Sequence, residues 1–284
     1  MTDVPTSPGE VNALAQLLDD PDADVQASVQ ARLTELGHQA VPALLAARDD
    51  ADAHLRPLIE DAIHDLHFDH VQQAWSLVMD APAVSLERGA FLFALYRFPD
   101  LDIPSYRRRL DAFADEARPQ VERASGVERA FALADVMCNT LGFAGNEEHY
   151  YDPNNSYLNQ VIDRRLGIPI SLSVIYLLLG NRLNLPVYGV NLPAHFLVKY
   201  VSDNGEVYLD LFNGGEYVSR EACLRFLLKA GVKPRPAFFQ AADPKPILLR
   251  MGRNLLAIAR ETDQTDMAQD LTTLLAPWDP SLDA

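Results

Sequence analysis

Four residues of this chain have the types and the order that nucleophilic acyl chemistry uses: Ser171 and Ser173 in "GIPISLSVIY", His195 in "NLPAHFLVKY" and Asp210 in "YLDLF". A hydroxyl becomes a nucleophile when a base within hydrogen-bond reach takes its proton, and a carboxylate makes imidazole that base by fixing its tautomer and orientation. Serine has a competing use, because it is a preferred N-cap. Ser171 at a helix start can bond the amide of Ser173 or Val174 with no part in catalysis. No Glu or Gln occupies position 174, so a full capping box is absent. A capping or binding role for the two serines therefore outweighs nucleophilic catalysis.

The elements that must position these groups follow from composition and spacing. Asp152, Pro153, Asn154 and Asn155 form a turn; Asn155 or Ser156 can cap a helix through Arg165, and Gly167 with Pro169 stops it. A second helix starts near Ser171 and is apolar on nearly every side from Leu172 through Leu179, so it is the expected buried central helix. It ends at Asn184, with Pro186 two positions on. "VYGVNL", "AHFLVKYV", a "SDNG" turn and "EVYLDLF" then read as a β-hairpin. A loop of Asn204-Gly205, or of the four residues from Ser202 to Gly205, puts His195 and Asp210 on one face as near-diagonal neighbours. A three-residue loop without a bulge separates them. The expectation is that the two are hydrogen-bonded and face the start of the central helix.

The rest of the chain is helical. In "VNALAQLLDDPDADVQASVQARLTELGHQAVPALLAARDD" apolar residues recur at Leu14, Leu17, Leu18, then Val25, Val29, Leu33, Leu36, then Val41, Leu44, Leu45, with Asp22 or Asp24 as N-cap. That pattern suits one helical hairpin of the HEAT type. Such a hairpin cannot bury its own face and must lean on the helices of "LRPLIEDAIHDLHFDHVQQAWSLVM". His64, His67 and His70 sit at i, i+3 and i+6, a spacing that does not keep three side chains on one helix face, so no metal site is expected. Residues 84–145 continue as helices. Cys138 falls in an apolar helical pattern beside Val136, Met137 and Leu141 and reads as a small packed side chain.

Composition bounds the partners. The formal charge of −16 argues against non-specific nucleic-acid or anionic-membrane binding, which need a positive surface. Residues 1–70 carry 14 acids against Arg32, Arg48 and Arg56, a regional acidity that serves solubility. The longest apolar run, residues 174–179, is too short to cross a bilayer, and the opening "MTDVPTSPGE" lacks the features of a secretory signal. Cys138 and Cys223 form neither a metal-ligand spacing nor a disulfide framework. A cytoplasmic protein without cofactor or metal is expected.

A residue at a buried helix start, then a strand histidine, then an aspartate on the partner strand is an arrangement shared with papain-like and transglutaminase-like enzymes. The run "GNEEHYYDPNNSYLNQVIDRRLGIPISLSVIY", with "NLPAHFLVKY" and "LDLFNGG", resembles the SirB family of transglutaminase-like proteins, and "RMGRNLLAIARETDQTDMAQDLTTLLAP" resembles that family's tetratricopeptide-type tail. The resemblance implies an α+β fold: a mainly helical N-terminal half, a papain/transglutaminase-like core whose buried central helix packs on an antiparallel sheet, and a short helical C-terminal hairpin. The implied divisions are 1–70, 71–240 with a core at 143–228, and 244–284. His195 then matches the catalytic histidine and Asp210 the residue that orients it, while Ala194 and Leu211 stand where glycine and proline are expected. Where active relatives keep cysteine, the helix start offers Ser171 or Ser173. A thiol near pKa 8.5 is turned into thiolate by a helix N-terminus and an imidazolium, whereas a serine hydroxyl gains little from the same field. The resulting expectation is a non-catalytic or weakly active protein that binds a protein or peptide partner. The alternative is a Ser-His-Asp hydrolase or acyl transferase acting on an amide or ester. Tyr150, Tyr151, Asn155 and Asn159 are candidates for lining the cleft in either case.

Overall fold

The computed structural model describes residues 7–203 and 205–282. Asn204, part of the expected hairpin turn, and the first six residues lie outside them. The fold is mainly helical α+β, and the chain divides into two compact units.

One unit comprises the residues up to Leu77 together with Leu95–Leu101. It contains α1 (Pro8–Gln16), α2 (Ala23–Leu36), α3 (Val41–Asp50) and most of α4 (Leu55–Met79). The Asp22 carboxylate caps α2 by accepting from the Asp24 amide at 2.9 Å. Val29, Leu33 and Leu36 of α2 share a core with Val41, Leu44 and Ile59, so the helical spacing seen in the sequence is the buried stripe. His38 stacks on His70 with ring centroids 4.1 Å apart, and His67 bonds the Leu95 carbonyl at 2.7 Å. Among the described residues no group of His, Cys, Asp and Glu has the arrangement of a metal site.

The other unit comprises Val78–Ala94 and the residues from Asp102 onward. Most of α5 (Leu86–Arg97) belongs to it, followed by α6 (Ile103–Arg123) and α7 (Glu128–Asp135). Next come β1 (Ala144–Gly145), α8 (Leu158–Arg164), β2 (Leu166–Gly167) and α9 (Pro169–Arg182). A run of antiparallel strands comes after α9: β3 (Val187–Leu192), β4 (His195–Ser202), β5 (Gly205–Asp210) and β6 (Glu216–Val218), adjacent in that order. The chain closes with α10 (Arg220–Lys229), α11 (Pro244–Glu261) and α12 (Thr265–Leu275).

Every residue of α9 from Ile170 to Gly180 is buried, as its lack of charge requires. It packs on one face of the sheet so closely that a Cβ at Gly180 would come within 2.4 Å of Val187. The opposite face, with Val190, Leu192, Leu197 and Tyr208, packs against Cys223 and Leu227 of α10 and against Phe239. No helix among the described residues is long and apolar enough to cross a membrane.

Candidate functional site

The helix carrying the serines begins two residues earlier than the expected start near Ser171. Pro169 takes the first helical position, where its missing N–H costs nothing, and Ile168 is the N-cap. Ser171 is therefore the third helical residue and not the cap. Its Oγ reaches back to accept the Ile168 N–H at 3.0 Å, and its own proton goes to the Asn155 carbonyl at 2.5 Å. Ser173 lies half a turn further in, fully buried, and its Oγ has no hydrogen-bond partner among the described residues.

Asn155 ties the segment before α8 to this helix start. Its side-chain amide donates to the carbonyls of His149 at 2.7 Å and Tyr150 at 3.2 Å, and its Oδ1 accepts from Asn146 at 2.9 Å. Asn146 in turn donates its backbone N–H to Gly167 just beyond the parallel β1–β2 pair. A buried asparagine with its donors and acceptor used in this way specifies one loop conformation. Asn155 and Asn159 are both buried, so neither meets a ligand from solvent, while Tyr150 and Tyr151 are 40% and 62% exposed.

The histidine and the aspartate come together. β4 and β5 pair with Ser202 opposite Gly205 and Val198 opposite Leu209, the register of the four-residue alternative extended by one pair. Extending it puts Asp210 opposite Leu197 and diagonal to His195, on the same face. His195 Nε2 donates to Asp210 Oδ2 at 2.8 Å. Asp210 also accepts the backbone N–H groups of Phe212 and Asn213 on Oδ1, at 3.1 and 3.3 Å, and Asn213 Nδ2 on Oδ2 at 2.8 Å. Burial alone would push this carboxyl up, but the bonds from His195 and Asn213 outweigh it and hold it below the usual carboxylate range. An ionised Asp210 is acceptor-only, so the imidazole nitrogen that meets it, Nε2, carries a proton.

The direction of the pair differs from the expectation. β3 follows α9 after a short connection, and its last residue, Leu192, is the partner of His195. By alternation, His195 shares a face with Leu192 and Leu197, away from the face that carries Val187 and receives α9. Its ring lies 5.5 Å from Phe226 of α10. Strand spacing reveals which residues share a face but not which face the helix covers. No hydrogen bond joins either serine to His195 among the described residues.

Both cysteines carry thiols held in the protonated form by their surroundings. Cys223, on α10, is buried, and burial together with the Asp210 charge pushes its thiol up. Cys138 is pushed up to about 11 by burial and by Asp135.

Three further residues shape the site without having been singled out from the sequence. Gly145 abuts the loop after Asp210, where a Cβ would meet the Phe212 carbonyl oxygen at 2.6 Å. Asn213 completes the Asp210 network, and its place three residues after an aspartate is a local signal of such a turn. Arg250 of α11 donates from Nη1 to the Leu192 carbonyl at 2.6 Å and to Asn191 Oδ1, bracing the strand end that presents His195. Burial lowers its guanidinium to about 10, so it stays protonated at neutral pH. Nothing near Arg250 in sequence announces this contact with residues 58 and 59 positions away.

The β3–β4 turn is the two residues Pro193 and Ala194, and Ala194 has φ 60°. This left-handed position is where glycine is favoured, which accounts for the glycine expected there.

Residues 104–253 match the Transglutaminase-like superfamily. A UPF0162 protein of Xylella fastidiosa (strain 9a5c) is 38% identical over 197 residues, covering 67% of this chain and 70% of that one. A UPF0162 protein of Vibrio cholerae is 33% identical over 157 residues, covering 52% of this chain and 57% of its own. The F-box only protein 21 of Mus musculus is 33% identical over 137 residues, covering 45% of this chain and 21% of that longer protein. No solved structure matches the chain.

Proposed function

Because the chain belongs to the transglutaminase-like superfamily, we propose that it is a member that keeps the histidine and aspartate of an acyl-transfer site without a working nucleophile and binds a protein or peptide partner there. The observation that carries this reading is the Ser171 hydroxyl. Its proton is committed to a backbone carbonyl at 2.5 Å and its lone pair to the Ile168 N–H, so the bonds that would activate it are already used in holding the helix start. Ser173 is closed to a substrate by burial. His195 and Asp210, with no serine to activate, act as a polar, oriented pair at the mouth of the site, and Tyr150 and Tyr151 offer exposed aromatic surface beside it.

Within this reading the chain is of the SirB type and cytoplasmic. Residues 1–70 form a HEAT-like segment, 71–240 the transglutaminase-like domain with its core at 143–228, and 244–284 a tetratricopeptide-like hairpin; the two helical ends serve as additional interaction surfaces. The match to a stretch of a much longer F-box only protein supports modular use, since the same core is there one part of a larger chain.

A fluorophosphonate probe tests the absence of a serine nucleophile. Mass spectrometry of the treated, folded protein is expected to find neither Ser171 nor Ser173 modified. Labelling of either serine that disappears in His195→Ala would replace this reading with a Ser-His-Asp hydrolase or acyl transferase.

A further inference from the structure

Arg250 is a partly buried cation without an acid. The chain holds 40 acids against 24 basic residues, so a carboxylate neighbour is the ordinary condition for an arginine here. Arg182, also half-buried, has two, Glu87 at 2.8 Å and Asp111 at 2.6 Å. Arg253, three residues beyond Arg250 on α11, is taken by Asp279 at 2.5 Å. Among the described residues no carboxylate is ion-paired with Arg250; the titratable groups that act on it are the phenol of Tyr150 and the cation of Arg253, and its guanidinium carbon lies 5.6 Å from the centroid of the Phe196 ring.

The way its donors are used leaves one edge of the guanidinium to spare. Both N–H groups of Nη1 are used, on the Leu192 carbonyl and on Asn191 Oδ1. The Nε and Nη2 edge, which meets a carboxylate with two parallel bonds, has no protein partner among the described residues. Its neighbours lead back to the His195 pair. Tyr150 is within electrostatic reach of Arg250 and its ring packs on Phe212 at 5.8 Å; the Phe212 N–H holds Asp210; Asp210 holds His195; and His195 is paired across the turn with Leu192, whose carbonyl Arg250 grips.

We infer that Arg250 is the receptor for a single carboxylate of the bound peptide, with the Tyr150 hydroxyl as a second donor. This rests on the peptide-binding reading above and names the group the site recognises. One uncompensated guanidinium balances one carboxylate, whereas a phosphate dianion would leave a charge unpaired because Arg253 is already neutralised. The protein's strong negative charge likewise disfavours a multiply acidic ligand and favours one with a lone carboxylate, such as a free C-terminus.

The test follows the Arg250 Nε–Hε resonance by NMR in the full chain during titration with three probes. These are an acetylated glycine tripeptide with a free C-terminus, the same tripeptide amidated, and an amidated tripeptide carrying phosphoserine. The free acid is expected to shift the resonance saturably, and the other two to bind about tenfold or more weakly, the cost of losing a charge-assisted bond. Arg250→Lys, which keeps the charge but loses the fork, is expected to weaken the acid by a similar factor, and Tyr150→Phe, which leaves the Arg250 braces in place, by a few-fold. Equal binding of acid and amide, absence of a saturable shift, tighter binding of the phosphoserine peptide, or undiminished binding by Arg250→Lys would each overturn the inference. Such a failure with both serines still unlabelled by fluorophosphonate removes the carboxylate receptor alone; serine labelling lost in His195→Ala removes the reading beneath it.

Discussion

His195 shares a 2.8 Å hydrogen bond with a carboxylate, whereas His38, His67 and His70 of the N-terminal helical unit lie against one another with no carboxylate hydrogen-bonded to them among the described residues. Burial lowers all three of the latter, His38 to about 4 with help from the charges His70 and His67 would carry, and the Leu95 carbonyl only partly restores His67. Clustered imidazoles without an acid are held neutral and serve as packing. A single imidazole with a buried acid has its tautomer and direction fixed, which is the property of a site. The difference lies in the aspartate, not in the histidine.

The severest way to break that contrast is Asp210→Ala. It strands the His195 Nε2–H, the Asn213 amide and the Phe212 N–H in a mostly buried place, and a loss of about 2–4 kcal/mol in urea unfolding is expected. The acid limb should change with it. The Asp210 carboxyl is depressed in the fold, so its contribution is present above the unfolded value of about 3.9 and is lost as pH falls from there through the folded value. Wild type should therefore converge on the variant in strong acid, and a constant gap down to about pH 2 would mean that the bonds do not need the ionised carboxylate.

Gly145→Ala comes next. Its Cβ would press on a backbone carbonyl that cannot rotate away, and a cost of about 1–3 kcal/mol is expected, read by the same unfolding curves. A neutral result would mean that the loop after Asp210 is not held against β1.

The two serines give a smaller and more discriminating comparison. Ser171→Ala removes the bond to the Asn155 carbonyl and the acceptor for the Ile168 N–H, and should cost about 1–2 kcal/mol. Ser173→Ala removes a buried hydroxyl that has no partner among the described residues, and should be neutral or stabilising by up to about 1 kcal/mol. Equal losses in both would contradict the separate roles assigned to them.

Much of this site is legible in residue order, and the limits of that reading are physical. Alternation along β4 and β5 puts His195 and Asp210 together because a strand's period of two leaves only two choices for a given loop. Their direction is not readable in the same way, since the face covered by α9 is decided by how the helix returns to the sheet. The apolar run beginning at Leu172 draws the expected helix start to Ser171, two residues inward, although Pro169 marks the true start. Asn146 and Asn155 meet across nine residues in an irregular segment, and Arg250 reaches β3 from the far end of the chain. No local pattern encodes such contacts.

The smallest effect belongs to the helical unit. Because its histidines have depressed folded values, their neutral packing stabilises it above about pH 6.5, and that contribution is lost as pH falls through the His38 value of about 4. Protection factors of the α4 amides, corrected for the intrinsic pH dependence of exchange, should therefore fall over that window more than those of β4 and β5. His38→Phe should flatten the dependence, and an unchanged profile would show that the stacked rings do not titrate with folding.

That His195 and Asp210 hold each other without engaging a serine is tested most directly by nitrogen NMR of the His195 ring. Nε2 should be protonated and should move when Asp210 is changed to Asn, while the Nδ1 resonance should coincide in wild type, Ser171→Ala and Ser173→Ala. A shift of Nδ1 in either serine variant would show a hydroxyl bonded to the imidazole and would contradict the claim.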